Sequence, residues 1–272
     1  MPVLHAADNK SQKINSIQAP MSDLEIIILA AGKGTRMGGE KPKVLTDILG
    51  KPMISYILDS IEKVHDKKPL IVVGFQADKV KAAVGGARGR FVVQTEQKGT
   101  GHAVKEALVH IDPAAKYVWV IYGDHPLVSD KTIQSIYKSH AAQSGPLTLG
   151  TVKLPDFADW REGFHSFGRV VRDKNSRIKK IIEKLDATDA EQAIKEVSPS
   201  YFCFNADWLR AHINELGAAN QKSEYYLTDL IEIAQREGHV LNSIDIPAHE
   251  ALGVNTPEQL QTVLKFISPH KK

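Results

Sequence analysis

The sequence predicts an α/β fold with a mostly parallel central sheet flanked by helices and a smaller antiparallel lobe in its second half. Three observations carry this reading. Short apolar runs rich in β-branched residues, "EIIILAA", "PLIVVG", "RFVVQ", "YVWVIYGD" and "PLTLGTV", recur ahead of residue 153, each of strand length. Between the first two, Met53, Ile54, Ile57, Leu58, Ile61 and Val64 repeat at helical spacing, and strands separated by helices build a parallel sheet covered on both faces. Later, "FGRVVRDKNSRIKKIIEK" reads as two strands around an Asp-Lys-Asn turn, which makes an antiparallel pair.

The remaining elements follow in chain order. Residues 1–22 are mostly small or polar with no sustained period, so a flexible N-terminal extension is expected ahead of one domain at 23–268, with Met21 as an alternative start. After the hairpin, "DATDAEQAIKEV" is expected to be helical and "SYFCFN" a strand. Helices are expected at about 205–216 and 224–238, then a strand "VLNSIDI" and a last helix from Thr256. No linker rich in Pro, Gly or Ser and no internal repeat divides the chain, so it should form one unit with two lobes.

Composition removes several function classes. A chain of 272 residues can bury a core without disulfides or a structural metal. A formal net charge of +3 is too small to imply nucleic acid as a partner, so any positive field must be local. There is no membrane-length apolar run and no signal peptide pattern, and the lone Cys203 cannot pair within the chain; a cytoplasmic protein with no membrane partner is expected.

In an open parallel sheet, ligands bind outside the carboxyl ends of the strands. The stretch "ILAAGKGTRMGGEKPKVL", residues 28–45, lies there. It fails the dinucleotide fingerprint, which needs a third glycine where Met37 stands, and the P-loop, because Gly39 is followed by Glu40 and Lys41. What remains is a strand end, Leu29, Ala30 and Ala31, then Gly32 and Gly34, which let backbone N–H groups approach phosphate oxygens, with Lys33, Arg36, Lys41 and Lys43 supplying charge. A triphosphate would suit it; a tight turn with solvated lysines would show the same pattern. Two further stretches reach the same edge: "VVQTEQKGTGHAV", with a second glycine pair, and "VWVIYGDHPL", which ends in Gly123-Asp124. A carboxylate beside a polyphosphate is the usual provision for Mg2+, although Asp124 could instead cap the next helix.

Together these residues carry a resemblance. "LAAGKGTRM" with "KPKVL", "QTEQKGTGHA", "YGDHPL", "IIEKLDAT", "EYYLTD" and "LGVNTPEQL" stand in the order and spacing of the sugar-1-phosphate nucleotidyltransferases. The chain is most similar to the uridylyltransferase domain of the bifunctional N-acetylglucosamine-1-phosphate uridylyltransferase/glucosamine-1-phosphate acetyltransferase family, over about residues 24–266. The resemblance implies a Rossmann-like nucleotidyltransferase fold with an antiparallel sugar-binding lobe. It also implies Mg2+-dependent attack of a sugar-1-phosphate on the α-phosphorus of UTP, giving a UDP-sugar and pyrophosphate.

Carried over by position, Arg36, Lys43 and Asp124 would be catalytic, and Asp124 and Asn255 would bind the metal. Leu29, Ala30, Ala31, Gly32, Lys33, Gly34, Gln94, Gly99 and Thr100 would hold the nucleotide, and Gly168, Glu183, Ser198, Tyr226 and Thr228 the sugar. Several have plainer roles open to them. Asn255 is also a good N-cap, Tyr225 and Tyr226 would begin an amphipathic helix, and His102 reads as structural. A nucleotidyltransferase for another base or a non-sugar phosphate, and a non-catalytic nucleotide-binding regulator of the same fold, stay open.

Three departures stand out. Where the family reads Asn-Thr-Gly and uses the asparagine on the acetamido sugar, this chain has Ser198, Pro199 and Ser200. The segment "PDFADWREGFHSFGR" is longer than the family's turn and brings Trp160, Phe164 and Phe167, either as a cap on the sugar pocket or as a loop core. No hexapeptide repeat follows up to residue 272, so acetyl transfer is not expected of this chain and its oligomeric state, monomer or dimer, is left open.

Overall fold

The computed structural model describes residues 21–268. Most of the expected N-terminal extension therefore lies outside the described residues, but Met21 is buried against the core, two residues ahead of the expected boundary at 23. The elements are β1 (Leu24–Ala30), β2 (Asp47–Ile48), β3 (Lys51–Pro52), α1 (Ile54–Glu62), β4 (Leu70–Val73), α2 (Ala77–Val84), β5 (Arg90–Val93), α3 (Thr100–Leu108), β6 (Tyr117–Tyr122) and α4 (Asp130–Ala141). They continue with β7 (Leu147–Lys153), β8 (Gly168–Arg172), β9 (Ile178–Ile182), α5 (Asp189–Gln192), β10 (Glu196–Ser198), β11 (Phe202–Asn205), α6 (Ala206–His212), α7 (Leu230–Arg236), β12 (Asn242–Asp245) and α8 (Pro257–Ile267).

Among the described residues, ten strands form one sheet in the order β5-β4-β1-β6-β11-β7-β10-β8-β9, with β12 beside β7. The first four are mutually parallel. All of β1 and β4 is buried, as strands covered on both faces must be. Side chains of β1 alternate between two cores: Ile26, Ile28 and Ala30 pack with α1 and α4 on one face, while Ile27 and Leu29 pack with α3, α6 and α7 on the other. β11 runs antiparallel between β6 and β7, and from β7 outward β10, β8 and β9 pair antiparallel. The antiparallel lobe is thus a continuation of the main sheet. Among the described residues, no helix is long and apolar enough to cross a membrane.

Two helix expectations are corrected. The stretch from Asp186 forms only the single turn α5, capped by Thr188 and Glu191; its end becomes β10, because Val197 is claimed on both sides by Val152 of β7 and Arg169 of β8. The helix expected from 224 starts later, with a 3-10 turn at Leu227–Asp229 ahead of α7. Tyr225 is held extended instead: its N–H donates to the Lys98 carbonyl and its carbonyl accepts from the Gly101 N–H. Long-range pairing overrides helix propensity in both cases. Leu227, Leu230, Ile231 and Ala234 of this segment are buried in the core.

The long aromatic segment is folded as 3-10 turns over Asp159–Ser166. Its aromatics divide: Phe164 is fully buried and meets Trp160 and Phe167, Trp160 packs on Phe266 of α8, and Phe167 reaches the cleft described below. The fully buried Arg169 ties the segment down by donating to the carbonyls of Gln192, His165 and Phe167.

Candidate active site

β1 and β6 pair in register up to Leu29 and Tyr122, so the loop after β1 and Gly123-Asp124 after β6 open on the same sheet edge. A cleft lies there in two chambers, of about 420 and 280 Å3. They share Lys43, Thr100, Tyr122, Asp124, Lys222 and Glu224.

The seam between the chambers gathers residues from three distant parts of the chain. The Lys43 ammonium donates to the Asp124 carboxylate and, at 2.8 Å, to Asn255 Oδ1. Arg36 Nη2 lies 3.4 Å from the same Asn255 oxygen. Burial, the largest single influence, pushes the Asp124 carboxyl up, but Lys43, His125 and a backbone N–H together outweigh it, and the net shift is below the usual carboxylate value. Lys43 is aimed by its backbone: it opens a 3-10 turn after Pro42, the next residue Val44 is buried, and Gly34 lies against it. Gly34 has φ +64°, and a Cβ there would stand 2.6 Å from Lys43 Cβ, so both conformation and space require glycine. Asp124 is fixed through its carbonyl, which accepts from the Val254 N–H at 3.0 Å and so brings the Asn255 loop alongside.

The capping alternatives for both metal candidates are corrected. Ser129 caps α4 and Thr256 caps α8, which leaves the side chains of Asp124 and Asn255 to the seam. Their donor set of a carboxylate and an amide oxygen already encloses one cation, the Lys43 ammonium, and such hard oxygens suit Mg2+. Among the described residues, no group of three or more His, Cys, Asp and Glu forms a metal cluster.

The larger chamber is walled by Leu29, Ala30, Ala31, Gly32, Gln94, Gly99 and Thr100. Among the described residues, apart from its two chain neighbours, nothing lies within 4 Å of where a Gly32 Cβ would be, so that backbone faces open space. Lys33 and Gly34 do not reach this wall: Lys33 is exposed with its ammonium 5.5 Å from the Phe75 ring, and Gly34 supports Lys43. Arg36 is likewise exposed and touches the seam only through Asn255. Gln94 is buried, and its amide Nε2 reaches the Gly99 carbonyl at 3.2 Å and His102 Nδ1 at 3.0 Å. Gly99 has φ +103° and lies under the Tyr225 carbonyl, 2.7 Å from where a Cβ would sit. Thr100 Oγ1 accepts from the Leu227 N–H at 3.0 Å, so the segment before α7 straps the start of α3.

The smaller chamber is lined by Gly168, Glu183, Ser198, Tyr226 and Thr228, together with Ser166, Phe167 and Ser200. Burial raises the Glu183 carboxyl above its ordinary value, and Thr228 Oγ1 lies 3.5 Å from its Oε1. Burial, then the carboxylates of Asp186 and Glu183, push the Tyr226 phenol up to about 12. Ser198 Oγ accepts from the Ser200 N–H at 3.0 Å.

Tyr122, His125, Lys222 and Glu224 also face the cleft. Tyr122, His125 and Glu224 stand inside quoted motifs and were legible from them. His125 Nδ1 is 2.7 Å from the Tyr201 hydroxyl, and burial lowers its imidazole to about 4. Lys222 carries no sequence signal: it sits in an irregular loop pinned by Asn220, whose Oδ1 accepts from the N–H groups of Lys222 and Glu224 at 3.2 Å each.

Residues 26–155 match the family described as MobA-like NTP transferase domain. Over these residues the chain is similar to the nucleotidyltransferases of that family. It is 40% identical over 86% of its length to the bifunctional protein GlmU of Trichlorobacter lovleyi, covering 50% of that protein. It is also 38% identical over 84% of its length to the GlmU of Lactococcus lactis subsp. lactis, covering 48%. The chain thus spans about half the length of these curated relatives. A solved structure from Bacillus anthracis, proposed to be a glucose-1-phosphate thymidylyltransferase, superposes with a TM-score of 0.69 at 18% identity, over 92% of this chain and 96% of that one, and has the same fold.

Proposed function

We propose that the chain transfers a uridylyl group from UTP to a sugar-1-phosphate, N-acetylglucosamine-1-phosphate or a related hexose-1-phosphate, releasing pyrophosphate. The observation that carries this reading is the seam: two chambers of substrate size meet where Arg36, Lys43, Asp124 and Asn255 converge. One chamber takes the nucleotide, the other the sugar, and the phosphates of both meet at the seam.

In this reaction a phosphate oxygen of the sugar-1-phosphate bonds to the α-phosphorus of UTP, and the bond from that phosphorus to the bridging oxygen breaks. Pyrophosphate carries away the electron pair. The attacking oxygen is already ionised, so no general base is required. The protein's work is positioning and charge cancellation. Gly32 and the strand end leave space along backbone for the triphosphate, while Lys43 and Arg36 neutralise oxygens at the seam. Asp124 and Asn255 would hold Mg2+, which when bound supplies further positive charge to the phosphate oxygens. In the smaller chamber Glu183 accepts hydrogen bonds from ring hydroxyls, flanked by Thr228, Ser198 and Ser200.

The test is pyrophosphate release with and without Mg2+ across UTP, dTTP, CTP, GTP and ATP, each against glucose-, galactose-, glucosamine- and N-acetylglucosamine-1-phosphate. The expected result is Mg2+-dependent release that is highest with UTP and requires the sugar phosphate. No release from any pair would overturn the reading.

A further inference from the structure

We propose that His102 is the positioning residue that decides which end of the Gln94 amide meets the base. This rests on the reading that the larger chamber holds the nucleotide base, and it deepens that reading to the base's hydrogen-bonding pattern.

The Gly99 carbonyl can only accept a hydrogen bond, so the Gln94 atom 3.2 Å from it must be the NH2 group. The second N–H of that NH2 points at His102 Nδ1, 3.0 Å away. That nitrogen must therefore be unprotonated, which places the imidazole proton on Nε2, toward Glu106 Oε1 at 3.5 Å. Both amide hydrogens are thus committed to the protein. The Gln94 carbonyl oxygen accepts nothing among the described residues and remains for the cleft, whose wall Gln94 forms.

An acceptor at that wall matches the imide N–H of uracil or thymine. It faces a lone pair on the corresponding ring nitrogen of cytosine. Selectivity for an imide base then depends on a residue that does not touch the base. Without an acceptor at His102 Nδ1, only the Gly99 carbonyl opposes rotation of the amide, and the NH2 group becomes available to cytosine. His102 is well placed for this role: its side chain is only 17% exposed and stands one turn before Glu106 on α3.

The experiment compares kcat/KM for UTP and CTP in the wild type, His102→Leu and His102→Asn. The asparagine oxygen can accept where Nδ1 does, and leucine cannot. The UTP-over-CTP ratio should fall about tenfold or more in His102→Leu, through KM for UTP, and return toward wild type in His102→Asn. A folded His102→Leu enzyme with an unchanged ratio would overturn the proposal. Nitrogen-15 NMR of the wild-type imidazole covers the case in which the leucine variant does not fold. An unprotonated Nδ1 with a proton on Nε2 is expected at neutral pH, and a proton on Nδ1 would overturn it. A wild type silent with every nucleotide would count against the proposed reaction, and the NMR tautomer would still decide how the amide is held.

Discussion

The two chambers of the cleft are built differently. The nucleotide chamber stands on the carboxyl ends of parallel strands, where Ala30, Ala31, Gly32 and Gly99 leave backbone close to the cleft beside the side chains of Leu29, Gln94 and Gln97. The sugar chamber stands on the antiparallel strands β8, β9 and β10 and on irregular segments, and is walled by functional side chains, Glu183, Ser198, Ser200, Tyr226 and Thr228. Backbone walls change little when side chains are exchanged, whereas side-chain walls can be rebuilt one residue at a time. On the proposed reading, the first chamber holds the chemistry common to nucleotidyl transfer, and the second is where substrate choice is set.

The seam belongs to both chambers, and breaking it should abolish the distinction. Asp124→Ala should reduce Mg2+-dependent pyrophosphate release by about a thousandfold or more, because it removes a charged group next to the reacting phosphates. No large side chain of the core is lost, so the melting curve should stay cooperative. Turnover at the wild-type rate would remove Asp124 from the catalytic assignment.

On the nucleotide side, Gly99→Ala imposes a strained backbone and a Cβ 2.7 Å from the Tyr225 carbonyl. Urea unfolding should register a loss of about 1–3 kcal/mol, and KM for UTP should rise more than KM for the sugar phosphate. On the sugar side, Ser198→Asn puts an amide where the resembling family carries one. Relative kcat/KM should move about tenfold toward N-acetylglucosamine-1-phosphate with KM for UTP unchanged. A shift in KM for UTP instead would mean that the chambers are not independent.

Much of the nucleotide chamber was legible in the sequence, because its residues lie in short contiguous stretches at strand ends. Lys33 and Gly34 were read by the same logic as ligands, but a loop's order along the chain does not say which residues face the cleft. Lys33 turns out toward Phe75, and Gly34 packs on Lys43. The sugar chamber was less legible for a related reason. β10 and the extended Tyr225 are made by partners distant along the chain, Val152 and Arg169 on either side of Val197, and Lys98 beside Tyr225. Lys222 reaches the cleft only through a loop that Asn220 folds. Periodicity reports neither.

The smallest expected difference is in pH response. Burial holds the Glu183 pKa above its ordinary value of 4.5, whereas at Asp124 Lys43 and its neighbours together outweigh burial and hold the carboxyl below 3.8. As pH falls, Glu183 is therefore neutralised first, while Asp124 stays ionised. KM for the sugar phosphate should rise at a higher pH than any loss at the seam, and Glu183→Gln should remove that step. The signs for stability are opposite as well. Ionised Glu183 costs the folded state free energy that is recovered as pH falls through its raised pKa. Asp124 contributes stability above its unfolded value that is lost only as pH falls through its depressed one. Glu183→Gln should accordingly raise the melting temperature at neutral pH while weakening sugar-phosphate binding; a fall in melting temperature would contradict the assignment.

The central claim is that both substrates react with one another at the seam. Phosphorus-31 NMR of the wild type with UTP, N-acetylglucosamine-1-phosphate and Mg2+ tests it directly, with glucose-1-phosphate as the companion acceptor. The account predicts equal growth of pyrophosphate and of a sugar-linked diphosphate with at least one acceptor, and neither when the acceptor is omitted. Intact substrates throughout, or pyrophosphate formed at the same rate without any sugar phosphate, would contradict it.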